Sequence, residues 1–163
     1  MLISRTLIAF SAAALALLSP TSRLGAQDAA LDAQKQAGQQ VYMMVCFACH
    51  QPTGQGLPGM FPPLAASDWV QARKPDRLIR MVLHGVTGPI TVNGKPFTTP
   101  APLMPPQATL HDEQIADVLT YIRSSFGNQA PAVKSEEVAA IRAAEKARTL
   151  LWTEAELLKI PVE

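Results

Sequence analysis

Residues 45–56 read VCFACHQPTGQG and hold the chain's only two cysteines, Cys46 and Cys49, with His50 directly after the second. Three chemistries use a Cys-x-x-Cys-His string: a disulfide or redox dithiol, half of a zinc site, or thioether attachment of a haem whose iron the histidine binds. A structural zinc needs four ligands, and outside the motif only His84 and His111 remain. A thioredoxin-like dithiol stands at a helix start after a buried strand. Here the preceding LDAQKQAGQQVYMMV is patterned as a helix, with Leu31, Ala37, Val41 and Tyr42 on one face. Haem attachment gives the spacing a mechanical reason. Two thioethers fix one edge of the macrocycle, and the chain itself then holds the next imidazole beneath the iron.

The compartment points the same way. Arg5 lies in a short basic start, Leu7 to Leu18 is almost wholly apolar or small, and Pro20 breaks the run. Residues 1–26 therefore read as a secretory signal peptide cut after Ala26, which predicts a periplasmic protein. The apolar run is about a dozen residues, short of the roughly 20 a spanning helix needs, so no membrane span is expected after cleavage, with an uncleaved anchor as the alternative. In such an oxidising space free thiols do not persist. The full chain carries 14 basic and 13 acidic residues. Removing the leader takes away Arg5 and Arg23 and no acids, leaving a net charge of −1. No basic cluster marks a nucleic-acid partner.

Gly38, Tyr42 and Cys46 recur at intervals of four just before the attachment string. This pattern resembles the class I c-type cytochromes, in which a glycine and an aromatic of the N-terminal helix meet the C-terminal helix. Physically, the glycine lets two helices approach and the ring supplies buried area at the crossing. The resemblance implies an all-α cytochrome c fold of three main helices around one covalently bound haem c. It also implies an axial methionine in a loop before the last core helix. TTPAPLMPPQATL supplies Met104, about 50 residues after His50 and flanked by Pro102, Pro105 and Pro106, which stiffen the loop. The other methionines fit less well: Met1 is in the leader, Met43 and Met44 adjoin the attachment site, Met81 lies in a helical pattern and Met60 follows His50 too closely. The resemblance further implies that Pro62 or Pro63 offers a carbonyl to the second nitrogen of His50. HQPTGQGLPGMFPPLAASDWV, HGVTGPITVNG and LTYIRSSFGN are together similar to cytochrome modules beside or fused to periplasmic dehydrogenases and copper nitrite reductases, over about residues 35–130.

The remaining patterns set the expected architecture: a cytochrome domain over residues 27–130 and a C-terminal helical arm over 131–163. A first helix is expected over about 30–45 and a middle helix over about 75–84, where His84 in the last turn suits a helix C-terminus. Capping or surface packing is its main reading, with a polar contact at the haem edge or iron ligation as alternatives. GPITVNGKPFTTP predicts a small hairpin turning at Asn93-Gly94. The last core helix is expected over about 112–126. Its cap falls at His111, where the family usually has Ser or Thr, at a cost of about 1 kcal/mol unless Asp112 takes the role. In the arm, a helix over 135–149 precedes a second one opened by a Thr153–Glu156 capping box. Leu151 and Trp152 are expected to fasten the arm to the globule, with docking of a partner protein as the alternative.

With His50 and Met104 on the iron, no position is open to substrate, and the expected role is one-electron carriage between redox proteins such as a dehydrogenase, reductase or oxidase. The alternatives are a dedicated cytochrome subunit of an oxidoreductase complex and a haem enzyme with a labile sixth ligand. Trp69, Arg73, Arg80 and Lys95 are candidate propionate contacts that the sequence leaves unassigned.

Overall fold

The computed structural model describes residues 20–98 and 103–163. Most of the expected leader and Pro102 lie outside the described residues. Helix α1 spans Pro20–Val41, a π-type turn Tyr42–Cys46 follows, and α2 covers Phe47–His50. Then come α3 (Asp68–Gln71), α4 (Asp76–His84), β1 (Val86–Thr87), β2 (Ile90–Val92), β3 (Lys95–Phe97) and β4 (Leu103–Met104). The chain finishes with α5 (Asp112–Arg123), α6 (Ser135–Ala144) and α7 (Glu154–Leu157). Helices dominate, and α4 and the hairpin fall where the sequence pattern places them.

The first helix is longer than expected at both ends. It is already helical at Pro20, the first described residue, and the AQDAALDAQKQ run after it consists mostly of strong helix formers. The expected cleavage point after Ala26 lies inside it. At the other end the helix does not stop at 45. The Phe47 amide reaches back five residues to the Tyr42 carbonyl, and the backbone stays helical to His50. A π-type turn carries an extra residue, which rotates everything after it by about 100° relative to an unbroken α-helix. Cys46, Cys49 and His50 are thereby aimed independently of the face that α1 packs.

That face crosses α5. A Cβ on Gly38 would run into the Asp117 carbonyl and come within 2.8 Å of Tyr121 Cβ, so only glycine permits this approach. Tyr42, fully buried, sets its ring 5.5 Å from Tyr121 and 5.3 Å from Phe126. Such pairs contribute about 0.5–1.5 kcal/mol each beyond their buried area.

Two apolar clusters form the interior. The larger gathers Tyr42, Ile79, Leu83, Ile115, Val118 and Val138 from the π-type turn, α4, α5 and α6. The smaller joins Trp69, Val86, Ile90, Val92, Phe97, Trp152 and Leu157, and both Met81 and Met104 pack against the two. Arg123, 1% exposed, ties the pieces together by donating to the carbonyls of Pro131 (2.8 Å), Val70 (3.0 Å) and Arg73 (3.0 Å).

In the hairpin, β2 pairs with β3 and the turn residues Asn93 and Gly94 both have positive φ, 52° and 71°. This is the left-handed pair that a two-residue I′ turn needs. A second ladder was not expected: β1 pairs antiparallel with β4, with Val86 opposite Met104. Helix α5 ends at Arg123 instead of 126, because the Ser124 hydroxyl donates to the Thr120 carbonyl and Phe126 takes a positive φ of 57°. Helix α6 ends at Ala144 instead of 149. Arg148 turns back onto the carbonyls of Leu150 (2.9 Å) and Leu151 (3.1 Å), which a helix continued to 149 would not allow. The Thr153–Glu156 box is present, with Glu156 Oε2 accepting from the Thr153 amide at 2.9 Å. Among the described residues no helix is long and apolar enough to cross a membrane.

Candidate functional site

Cys46, Cys49, His50 and Met104 all line one cavity. It opens to solvent at one side, and counting that open mouth it encloses about 1260 Å³. The walls are nearly all apolar: Leu64 from the loop, Leu78 and Val82 from α4, Val86 and Val92 from the strands, Leu119 and Ile122 from α5. A mostly apolar slot with two thiols and an imidazole at its edge fits a flat apolar group held covalently and through a metal.

His50 is prepared for such a metal. Its Nδ1 lies 3.1 Å from the Pro62 carbonyl, and since a carbonyl only accepts, Nδ1 carries the proton and Nε2 keeps its lone pair. Burial lowers the His50 pKa, opposed by the Pro62 contact, and so favours the neutral ring. The Tyr42 hydroxyl donates to the Gln51 carbonyl at 2.6 Å, pinning the residue after His50 in a positive-φ turn (63°). Gly56 then donates to the His50 carbonyl at 3.0 Å and fits closely under Phe61 and Pro62, where a Cβ would lie 2.7 Å from the Pro62 oxygen.

The cysteines are free thiols at α-helical and π-helical positions. Burial, and then the neighbouring Cys49, pushes the Cys46 thiol up to about 11, the reverse of the lowered value that a redox-active dithiol needs. Among the described residues no three His, Cys, Asp or Glu side chains gather as a metal site.

Other expected positions sort clearly. Of the four candidate propionate contacts only Trp69 lines the cavity, while Arg80 is engaged by Glu145 at 2.7 Å. Trp69 Nε1 donates to the Thr91 carbonyl at 2.7 Å. His84 is in the last turn of α4, away from the cavity lining, with Nε2 buried and without a hydrogen-bond partner among the described residues. Burial lowers its pKa, with Glu145 acting against it and Arg148, Arg142 and Arg80 with it. At His111 half of a capping box forms, the backbone amide donating to Gln114 Oε1 at 2.9 Å. Met60 is exposed, whereas Met81 shares the cavity wall with Met104. The helical pattern at Met81 is real, but its side chain faces the slot.

A slot of this build, entered by a thiol–thiol–imidazole string at a helix end, defines a domain made to hold a covalently tethered macrocycle. The family model for cytochrome c matches residues 35–126, and the chain belongs to the cytochrome c family, as a class I c-type cytochrome. The family's prosthetic group is one covalently bound haem c, and Cys46 and Cys49 have its attachment spacing. The chain is similar to cytochrome c-552 of Thermus thermophilus, 39% identical over 115 residues that cover 65% of this chain and 84% of that protein. It is also similar to the cytochrome c subunit of the quinone alcohol dehydrogenase of Gluconacetobacter polyoxogenes, 37% identical over 94 residues, or 58% of this chain and 19% of that one. The gluconate 2-dehydrogenase cytochrome c subunit of Pantoea cypripedii is 39% identical over 112 residues, 66% of this chain and 24% of that one. The chain thus spans only about a fifth to a quarter of the length of these dehydrogenase subunits.

Proposed function

We propose that Cys46 and Cys49 carry the haem through thioethers, that His50 Nε2 and Met104 are its axial ligands, and that the protein is a periplasmic one-electron carrier. The convergence of these four side chains on one apolar cavity carries the reading. When bound, the haem supplies the reversible iron couple. The chain's own residues do the rest. Pro62 orients His50, the aliphatic walls of α4 and α5 exclude water, and Tyr42 locks the turn behind the proximal ligand. No side chain is required to move a proton. Partners are redox proteins, met through brief contacts typical of electron-transfer encounters, under about 1,200 Å².

A second reading, a dedicated cytochrome subunit of a dehydrogenase, is favoured by the relatives named as such subunits. In that reading the domain accepts electrons from a fixed neighbour instead of a diffusing one.

The absorption spectrum of the oxidised holoprotein tests the ligand set, since a ferric haem bound by methionine has a weak far-red band. Met104→Ala is expected to abolish the band and Met81→Ala to keep it. The opposite result would transfer the ligand role to Met81, and a wild-type spectrum without the band would remove the His/Met reading altogether.

A further inference from the structure

The strand that bears Met104 is short, and what holds it lies far along the chain. Strands β1 and β4 contribute two residues each, with Val86 opposite Met104 and Thr87 opposite Leu103. A ladder of that size is not stable alone. The free edge of β1 is taken by the arm. Val86 forms a parallel bridge with Trp152, the Thr87 amide donates to the Trp152 carbonyl at 2.8 Å, and the Trp152 amide donates to the Gly85 carbonyl at 3.0 Å. The segment before β1 is equally tight against the methionine loop: a Cβ on Gly85 would strike the Met104 carbonyl and lie 2.9 Å from the Pro106 nitrogen.

Side chains repeat the connection. Trp152, 8% exposed, belongs to the smaller apolar cluster, and Met104 packs against that cluster. Arg148 lies 3.4 Å over the indole face and pairs with Glu156 at 3.0 Å, while Glu154 accepts from the Thr91 amide at 2.8 Å. Trp152 Nε1 is buried with no partner among the described residues.

We propose that Trp152 is a positioning residue for Met104, and that the arm around it holds the thioether of the β4 strand in place. The inference rests on the reading of Met104 as the distal ligand. Groups behind a ligand fix its orientation and so its hold on the metal. Local opening of β1 from the arm would release β4, and with it the distal side.

The test compares Trp152→Ala, Trp152→Phe and Met104→Ala holoproteins, with Gly38→Ala as a variant loosened at the distant α1–α5 crossing. Readouts are the far-red band, the midpoint potential and the rate at which cyanide binds the ferric form. Trp152→Ala is expected to weaken the band, lower the potential and speed cyanide binding by tenfold or more. Trp152→Phe, which keeps an aromatic ring but loses the five-membered part of the indole with its N–H, is expected to restore most of all three. Gly38→Ala is expected to lower the melting temperature and leave them at wild-type values. Should Trp152→Ala fail to fold, Glu156→Gln loosens the same segment from the surface and is expected to speed cyanide binding at least twofold. A wild-type cyanide rate and potential in Trp152→Ala, or in Glu156→Gln where that stands in, would overturn the proposal. A Met104→Ala protein with the band intact would instead overturn the ligand assignment beneath it, so the two failures are distinct.

Discussion

At Gly38 the crossing of α1 and α5 leaves no room for one methyl group, because the obstacle is the Asp117 carbonyl and not a movable side chain. Gly38→Ala is therefore expected to cost about 1–3 kcal/mol, the usual price of overpacking, in a denaturant titration of the holoprotein. Gly38 and Tyr42 were readable from the sequence, because close helix packing demands a small residue and a ring one turn apart. His50 was readable too, since its place after Cys49 allows few roles. The Tyr42 bond to Gln51 was not, because it joins a helix to a turn whose positive φ no local pattern announces. Met81 was set aside for lying in a helix. Periodicity tells which positions are apolar, but not whether the apolar side meets other side chains or an open slot.

Among the elements, α7 shows local code at its clearest. Thr153 and Glu156 spell a capping box, and both halves form. Hydrogen bonds from the Thr153 amide, Arg148 and the Thr153 hydroxyl hold Glu156 at about 2, below the usual 4.5. A depressed carboxylate stabilises the fold fully above its unfolded value and loses that contribution as pH falls through the folded one. The arm is thus expected to loosen between about pH 4.5 and 2, seen as a change in near-ultraviolet circular dichroism. Glu156→Gln should flatten the transition in that window, and an unaltered acid titration would count against the box. The end of α6 was hidden for a different reason. Lys146, Ala147 and Arg148 are good helix formers, and the contacts that Arg148 makes with Leu150 and Trp152 just after it are not announced by any propensity. Strands β1 and β4, two residues each, are too short for any alternation to show.

Over the whole molecule, the two apolar clusters meet around the cavity, with Met81 and Met104 packed against both. The prosthetic group completes this core, for a domain of about 100 residues buries only some 60–65% of its unfolded surface by itself. Replacing both Cys46 and Cys49 by Ala is expected to abolish the cooperative melt followed by far-ultraviolet circular dichroism, and an unchanged melt would refute it. The arm belongs to the same body. Val133, Val138 and Ile141, which follow the composition shift after Pro131, are in the larger cluster. One consequence concerns light. The chain's two tryptophans, Trp69 and Trp152, are both in the smaller cluster beside the cavity. A haem in that slot quenches indole emission at such short range, so the protein is dark while whole and begins to glow when either the arm or the haem departs.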